Sequence, residues 1–183
     1  MLTESKNIDR NFIAPNFELL NIDNSFVRLN DIKGKNGTLV CFICNHCPYV
    51  KAIINKLVTD TNELQKYGIS SVAIMPNDVS YYPEDSFDNM IDFSISNKLK
   101  IPYLYDETQN VAKSYDATCT PDFFGFDKNL KLKFRGRLDN SNMNKINNIE
   151  RELFFSMIAI SKNKKVPYNN PSLGCSIKWR NDG

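Results

Sequence analysis

Thr38-Leu39-Val40-Cys41-Phe42-Ile43-Cys44-Asn45-His46-Cys47-Pro48 is the stretch on which the reading of this chain turns. Its first six residues are a short, mostly apolar run of the kind that forms a strand buried on both faces. It ends in two thiols three positions apart. From Pro48 the residues Val50, Ile53, Ile54, Leu57, Val58 and Leu64 keep helical spacing, which predicts a helix over 48–67 stopped by Gly68. A second short apolar run, 69–75, is closed by Pro76-Asn77-Asp78. Strand, helix, strand with this spacing is a right-handed parallel crossover. The thiol pair then sits at the carboxyl edge of a parallel strand, where open α/β sheets build their sites.

Outward from that unit, 17–20 and 26–29 read as a short hairpin with Asp23-Asn24 at its tip. Tyr81-Tyr82-Pro83-Glu84-Asp85 reads as a loop, 86–97 as a helix and 101–105 as a strand. Asp106 and Gln109 have the spacing of a capping box for a helix reaching Tyr115. Strands follow at 122–126 and 130–135 around the turn Asp127-Lys128-Asn129. A last helix is expected to carry Ile146, Ile149, Leu153, Met157 and Ile158. The tail holds Cys175 and the only tryptophan, Trp179, and this pairing suggests docking rather than fraying.

Composition narrows the function. The 183 residues carry a net charge of +2, with basic residues scattered; the densest group, Lys162, Lys164 and Lys165, reads as a solvated helix end. Nothing calls for nucleic acid or an anionic membrane as a partner. No apolar run is long enough to span a bilayer. The first residues have no apolar core of a secretory signal, so a cytoplasmic location is expected. There, five cysteines are reduced thiols, with any disulfide transient and catalytic. Cys41, inside the apolar run, is expected to be an inert core thiol.

At a helix start the dipole and free N–H groups favour a thiolate. Cys44 is expected near the helix N-cap, exposed and attacking; Cys47 about one turn in, buried and resolving the mixed disulfide. His46, the only histidine, lies between them and can donate to a thiolate, making the disulfide more oxidising. No second close Cys/His pair exists for a structural zinc site, so no metal and no cofactor are called for. Cys119-Thr120-Pro121 is the second element, directly before a strand.

At this point the chain resembles the thioredoxin superfamily. In that fold a cis proline precedes the corresponding strand and faces the redox pair, and neighbouring backbone groups bind an extended substrate. The resemblance implies these roles for Pro121 and Thr120. It extends through Ala14-Pro15-Asn16-Phe17, the run 45–50, Tyr103-Leu104-Tyr105-Asp106-Glu107-Thr108-Gln109, the run 119–124, Phe134-Arg135-Gly136-Arg137-Leu138-Asp139 and Gly174-Cys175-Ser176-Ile177-Lys178-Trp179. Together these are similar to the peroxiredoxin-like, thioredoxin-fold branch of the alkyl hydroperoxide reductase / thiol-specific antioxidant family. The fold expected is thus a thioredoxin-like α/β domain spanning 1–183, with a core at 12–162 and a C-terminal tail at 163–183. A central mixed sheet is flanked by helices, with a β-α insertion near 77–105 and an N-terminal hairpin.

The resemblance implies a thiol-disulfide oxidoreductase or thiol-based antioxidant. Its partners would be a protein or small-molecule disulfide and a cellular thiol reductant such as a thioredoxin or glutathione. Two other readings stay open. True peroxiredoxins carry Pro-x-x-x-Thr/Ser-x-x-Cys; with Cys47 as the peroxidatic residue, Val40 stands for the proline and Cys44 for the hydroxyl, leaving Arg135 or Arg137 to supply a guanidinium unless they are exposed strand-end charges. A Cu(I) or zinc pocket could use Cys44, Cys47 and Cys119, with His46 as an optional fourth ligand. Cys119 and Cys175 form a candidate second thiol pair that takes the disulfide by relay, or are two buried thiols.

Overall fold

The computed structural model describes residues 1–7, 9, 11–141 and 149–180. The chain enters through β1 (Leu2–Glu4), forms the hairpin β2 (Glu18–Asn21) and β3 (Phe26–Arg28), and then runs into β4 (Gly37–Phe42). Helix α1 (Pro48–Leu64), a 3-10 turn and Gly68 in the left-handed conformation (φ 71°) lead to β5 (Ile69–Met75). A 3-10 turn (Pro83–Asp85), α2 (Phe87–Ser96), β6 (Tyr103–Tyr105) and α3 (Asn110–Ser114) follow. Then come β7 (Cys119–Thr120), β8 (Asp122–Phe126), β9 (Leu132–Gly136), α4 (Glu152–Ser161) and β10 (Leu173–Ser176).

Seven strands make one mixed sheet in the order β3-β2-β6-β5-β4-β8-β9. β4, β5 and β6 run parallel, and β8 lies antiparallel on the other side of β4. Every residue of β4 is buried, because alternate side chains feed two cores. Leu39 and Cys41 face Ile54 and Leu57 of α1 and Leu153 and Met157 of α4. Val40 and Phe42 face Ala112 of α3, Tyr115 and Phe124. Cys41 is fully buried and burial pushes its thiol up, as expected of a core residue.

A second, three-stranded sheet has the order β1-β10-β7. Its register pairs Leu2 with Cys175, Cys175 with Thr120, and Ser176 with Cys119. The tail is therefore built into the fold beside the redox loop, as the Cys and Trp suggested.

Three local expectations are corrected. Asp106 and Gln109 do not form a capping box. The helix begins one turn later, at Asn110, and the Asp106 carboxylate accepts from Ala112 N at 2.7 Å and Val111 N at 3.4 Å. Gln109 adopts a left-handed conformation, and its side chain instead donates to Pro76 O (2.7 Å) and Lys178 O (2.8 Å) and accepts from Arg180 N (2.8 Å). The last helix starts at Glu152, so Ile149 precedes it, and Ile146 lies outside the described residues. The strand expected over 101–105 is confined to Tyr103–Tyr105; Pro102 has no N–H to give to the ladder.

Candidate active site

Pro48 decides where the redox helix starts. Its ring suits the first helical position, and it holds the residue before it extended. Cys47 accordingly sits at φ −64°, ψ 122° and is the N-cap of α1. Cys44 lies three residues earlier, in the loop leaving β4. The expected arrangement, Cys44 more exposed and near the cap and Cys47 one turn in, is therefore corrected: both residues are fully buried, and Cys47 rather than Cys44 is the N-cap. The proline was the signal that places the cap.

Thr120 holds both sulfurs. Its Oγ1 lies 3.2 Å from Cys44 Sγ, and its carbonyl oxygen lies 3.2 Å from Cys47 Sγ. The Thr120–Pro121 peptide bond is cis. The carbonyl contact requires a proton on Cys47, but its surroundings, led by the neighbouring Cys44 thiol with smaller contributions from Val50 and Cys175, favour the thiolate. The Cys44 hydrogen bond is the strongest influence and burial opposes it; the net effect holds Cys47 well below the usual thiol range. Cys44 moves the other way. Its hydrogen bond to Cys47, then burial, then the nearby Asp85 charge, keep it protonated. The two thiols are thus shifted in opposite directions, Cys47 down and Cys44 up.

His46 does not sit between the sulfurs as expected. Its Nδ1 lies 2.6 Å from Asp85 Oδ2, and its ring stacks on Tyr82 with centroids 5.0 Å apart. The Asp85 hydrogen bond raises the His46 pKa against the effect of burial, and the Cys47 charge adds to the rise. The Nδ1 of His46 is therefore engaged by Asp85 rather than by either sulfur.

Asp85 was the residue the sequence did not reveal. It is fully buried on the 3-10 turn and accepts from Asn45 N (2.8 Å), His46 N (3.1 Å), His46 Nδ1 and Asn77 Nδ2 (2.8 Å). Burial pushes its carboxyl up, but the His46 ring, Asn77 and the Asn45 N–H more than offset this, and its pKa falls below the usual value. Asn45 is fixed in turn by Tyr103 Oη, which donates to its Oδ1 at 2.9 Å. Asp85 thus ties the loop between the two cysteines to the segment after β5.

Among the described residues, Cys44, His46 and Asp85 are the group whose ligand atoms come within 4.8 Å of one another. The sulfur-rich pocket expected from Cys44, Cys47, Cys119 and His46 is not the one formed. The Asp85 oxygens already accept four hydrogen bonds, one of them from His46, so the cluster is satisfied as a polar network. Cys119 stands apart: its Sγ donates to Pro121 O at 3.5 Å, and burial followed by the Asp122 charge pushes its thiol up.

Nor does the structure bring Cys119 and Cys175 together. Ser176 is the cross-strand partner of Cys119 and Thr120 that of Cys175, so strand alternation puts the two thiols on opposite faces of the ribbon. Cys175 faces the Cys44–Cys47 side. The same pairing fills one backbone edge of Thr120, where an extended substrate was expected, with the chain's own β10.

The match to a family model settles the relationship: residues 12–135 fit the model of the AhpC/TSA family. The chain belongs to the AhpC/TSA family. Two solved structures follow it over nearly its whole length. An uncharacterized conserved protein from Geobacillus kaustophilus is 43% identical, with a TM-score of 0.95 over 100% of this chain and 98% of that one. A hypothetical protein from Sinorhizobium meliloti is 32% identical, with a TM-score of 0.93 over 98% of this chain and 99% of that one. The thioredoxin domain of a thiol-disulfide oxidoreductase from Bacteroides vulgatus shares the fold at 20% identity, with a TM-score of 0.58 over 68% of this chain and 86% of that one. The fold is thioredoxin-like. A search of curated proteins finds no match.

The two arginines considered as the source of a guanidinium beside Cys47 are both engaged elsewhere. Arg135 is not an exposed strand-end charge but is 5% exposed. Its Nη2 donates to Asp122 Oδ2 and to Asp116 O, each at 2.8 Å, and its guanidinium lies 4.4 Å from the Phe124 ring centre. Arg137 is paired through two nitrogens with Glu152, at 2.6 and 3.1 Å. Both guanidinium groups are committed to carboxylates.

Proposed function

We propose that this AhpC/TSA protein is a thiol-disulfide oxidoreductase working through Cys44 and Cys47. The observation that carries the reading is that Thr120 holds both sulfurs of the pair, Cys44 through its hydroxyl and Cys47 through its carbonyl oxygen, each at 3.2 Å. Two sulfurs in that relation are poised to form one disulfide. The Cys47 thiolate attacks a sulfur of the substrate disulfide and displaces one substrate thiolate. Cys44 then attacks Cys47 Sγ, and its proton leaves with the second substrate thiol. Two electrons have passed from the pair to the substrate, leaving a Cys44–Cys47 disulfide. Run backwards, the same steps oxidise a dithiol. The attacking and resolving roles are thus the reverse of those expected from a helix capped by Cys44.

Asp85 and His46 set the electrostatics of the loop. Partners of matching chemistry are a protein or small-molecule disulfide on one side and a cellular thiol such as a thioredoxin or glutathione on the other. Five free cysteines favour a reducing compartment, the cytoplasm. Among the described residues no helix is long and apolar enough to cross a membrane.

Equilibration in glutathione buffers of graded ratio, with acid quenching and mass spectrometry, tests this. The expected outcome is a single two-electron transition between the dithiol and a Cys44–Cys47 disulfide. Failure of that disulfide to form at any ratio sinks the reading. Peroxidase action through Cys47 is the second reading, favoured by the thiolate at the start of α1 and opposed by the engaged arginines. Stopped-flow oxidation by hydrogen peroxide no faster than that of free cysteine would exclude it.

A further inference from the structure

Cys44 and Cys47 have no exposed surface, whereas Cys175 is half-buried. A redox pair with no exposed surface gains from a second route by which its disulfide reaches solvent. β10 is positioned to provide one. Cys175 lies directly opposite Thr120 in the β7–β10 ladder, and paired residues project to the same side of a ribbon. Thr120 is the residue that touches both active sulfurs. Cys175 packs against the buried cluster that holds Cys44 and Cys47, and its proximity helps lower the Cys47 pKa.

That approach depends on a glycine. A Cβ on Gly174 would stand 2.2 Å from Thr120 O and 2.6 Å from its carbonyl carbon, so only glycine lets the tail close on Thr120. The far end of the tail is also fixed. Lys178 N donates to Asn77 Oδ1 at 2.9 Å, and Asp78 N donates to Lys178 O at 2.9 Å. Asn77 also donates to Asp85, so the tail and the redox loop share one anchor.

We propose that Cys175 is a third exchanging thiol, which takes the disulfide from Cys44–Cys47 and presents it at the protein surface as Cys47–Cys175. The inference rests on the dithiol reading above and extends it. The Cys175 sulfur attacks Cys47 Sγ of the Cys44–Cys47 disulfide. The Sγ–Sγ bond to Cys44 breaks and that to Cys175 forms. Cys44 leaves as a thiolate, supported by the Thr120 hydroxyl, and takes up the proton that Cys175 releases. The oxidation level of the chain does not change and no outside reagent is consumed. An external thiol then reduces the half-exposed Cys47–Cys175 bond, which the buried Cys44–Cys47 bond does not offer. Cys119, on the opposite face of the ribbon, has no part in this relay.

Oxidation with one equivalent of diamide, acid alkylation and peptide mapping tests the relay on the full chain. Wild type is expected to yield both Cys44–Cys47 and Cys47–Cys175 linkages. Cys44→Ala should yield Cys47–Cys175 alone, and Cys175→Ser should yield Cys44–Cys47 alone. Gly174→Ala keeps the thiol but displaces the strand, and should lose the Cys175 linkage while keeping Cys44–Cys47. Formation of Cys44–Cys47 with no Cys175-linked peptide in wild type or Cys44→Ala overturns the relay and leaves the dithiol reading standing. Absence of Cys44–Cys47 in both wild type and Cys175→Ser overturns the two together.

Discussion

Cys47 and Cys119 flank the same Thr120-Pro121 loop, and both are fully buried. By burial alone each would be a neutral, inert thiol. They differ in what surrounds the sulfur. Cys119 meets an acceptor, Pro121 O, and a buried carboxylate, Asp122, and both burial and that charge raise it. Cys47 lies beside the Cys44 thiol, which lowers it despite burial. The two thiols are set apart by the donors around them, not by their exposure.

The sharpest way to break that contrast is to remove the sulfur on each side. Cys47→Ser should abolish disulfide exchange, because no other thiolate stands at the helix start. In wild type, one equivalent of diamide should draw Cys47 into a disulfide and leave Cys119 a free thiol; a disulfide formed by Cys119 to the same extent would end the comparison. Next in size is Cys44→Ala, which removes the leading donor. A hydrogen bond to a charged group is worth about 1.5–3 kcal/mol, so the Cys47 pKa should rise by about one to two units. The pH dependence of thiolate absorbance reads this directly, and an unmoved titration would show that Val50 and Cys175 suffice.

The half of this contrast written locally was legible in the sequence. A strand over Gly37–Phe42, the thiol pair and a periodic helix follow from neighbouring residues, as does the Cys119-Thr120-Pro121 loop. The helix start is legible in Pro48, yet Cys44 rather than the adjacent Cys47 is expected at its cap, an error of position within a correctly placed helix. The rest of the site was not legible because its contacts are distant along the chain. Asp85 reaches the redox loop across 39 to 40 positions, and Lys178 reaches Asn77 across 101. No periodicity records such pairs. Gln109 had a plausible local role, yet its amide was needed by the tail.

Asp85→Asn probes the same principle, donors against burial, in a carboxylate. It should cost about 1.5–3 kcal/mol, since a buried charge-assisted pair with His46 is lost. The cost should depend on pH. The folded-state pKa of His46 lies above its ordinary 6.5, so its contribution is complete below 6.5 and is lost as pH rises through the folded value. That of Asp85 lies below 3.8, so its contribution is present above 3.8 and is lost as pH falls through the folded value. The gap between wild type and variant should therefore be widest between 3.8 and 6.5. Urea melts at about pH 5 and about pH 9 compare the two regimes; a gap that fails to narrow at the higher pH would remove His46 from the account.

The smallest effect belongs to Cys119→Ala. If donors rather than position near the proline loop make a thiol reactive, deleting this sulfur leaves the Cys47 titration and the Cys44–Cys47 linkage unchanged. The cost is confined to packing, about 1 kcal/mol, the usual size for a single substitution. Alanine also removes the weak contact to Pro121 O without leaving an unpaired donor. The experiment pairs a urea melt with the glutathione titration. A shifted midpoint in the melt and an unmoved redox transition would place Cys119 in the core alone. A moved redox transition would mean that the two sulfurs communicate through Thr120 and Pro121, and that the contrast between them is one of degree.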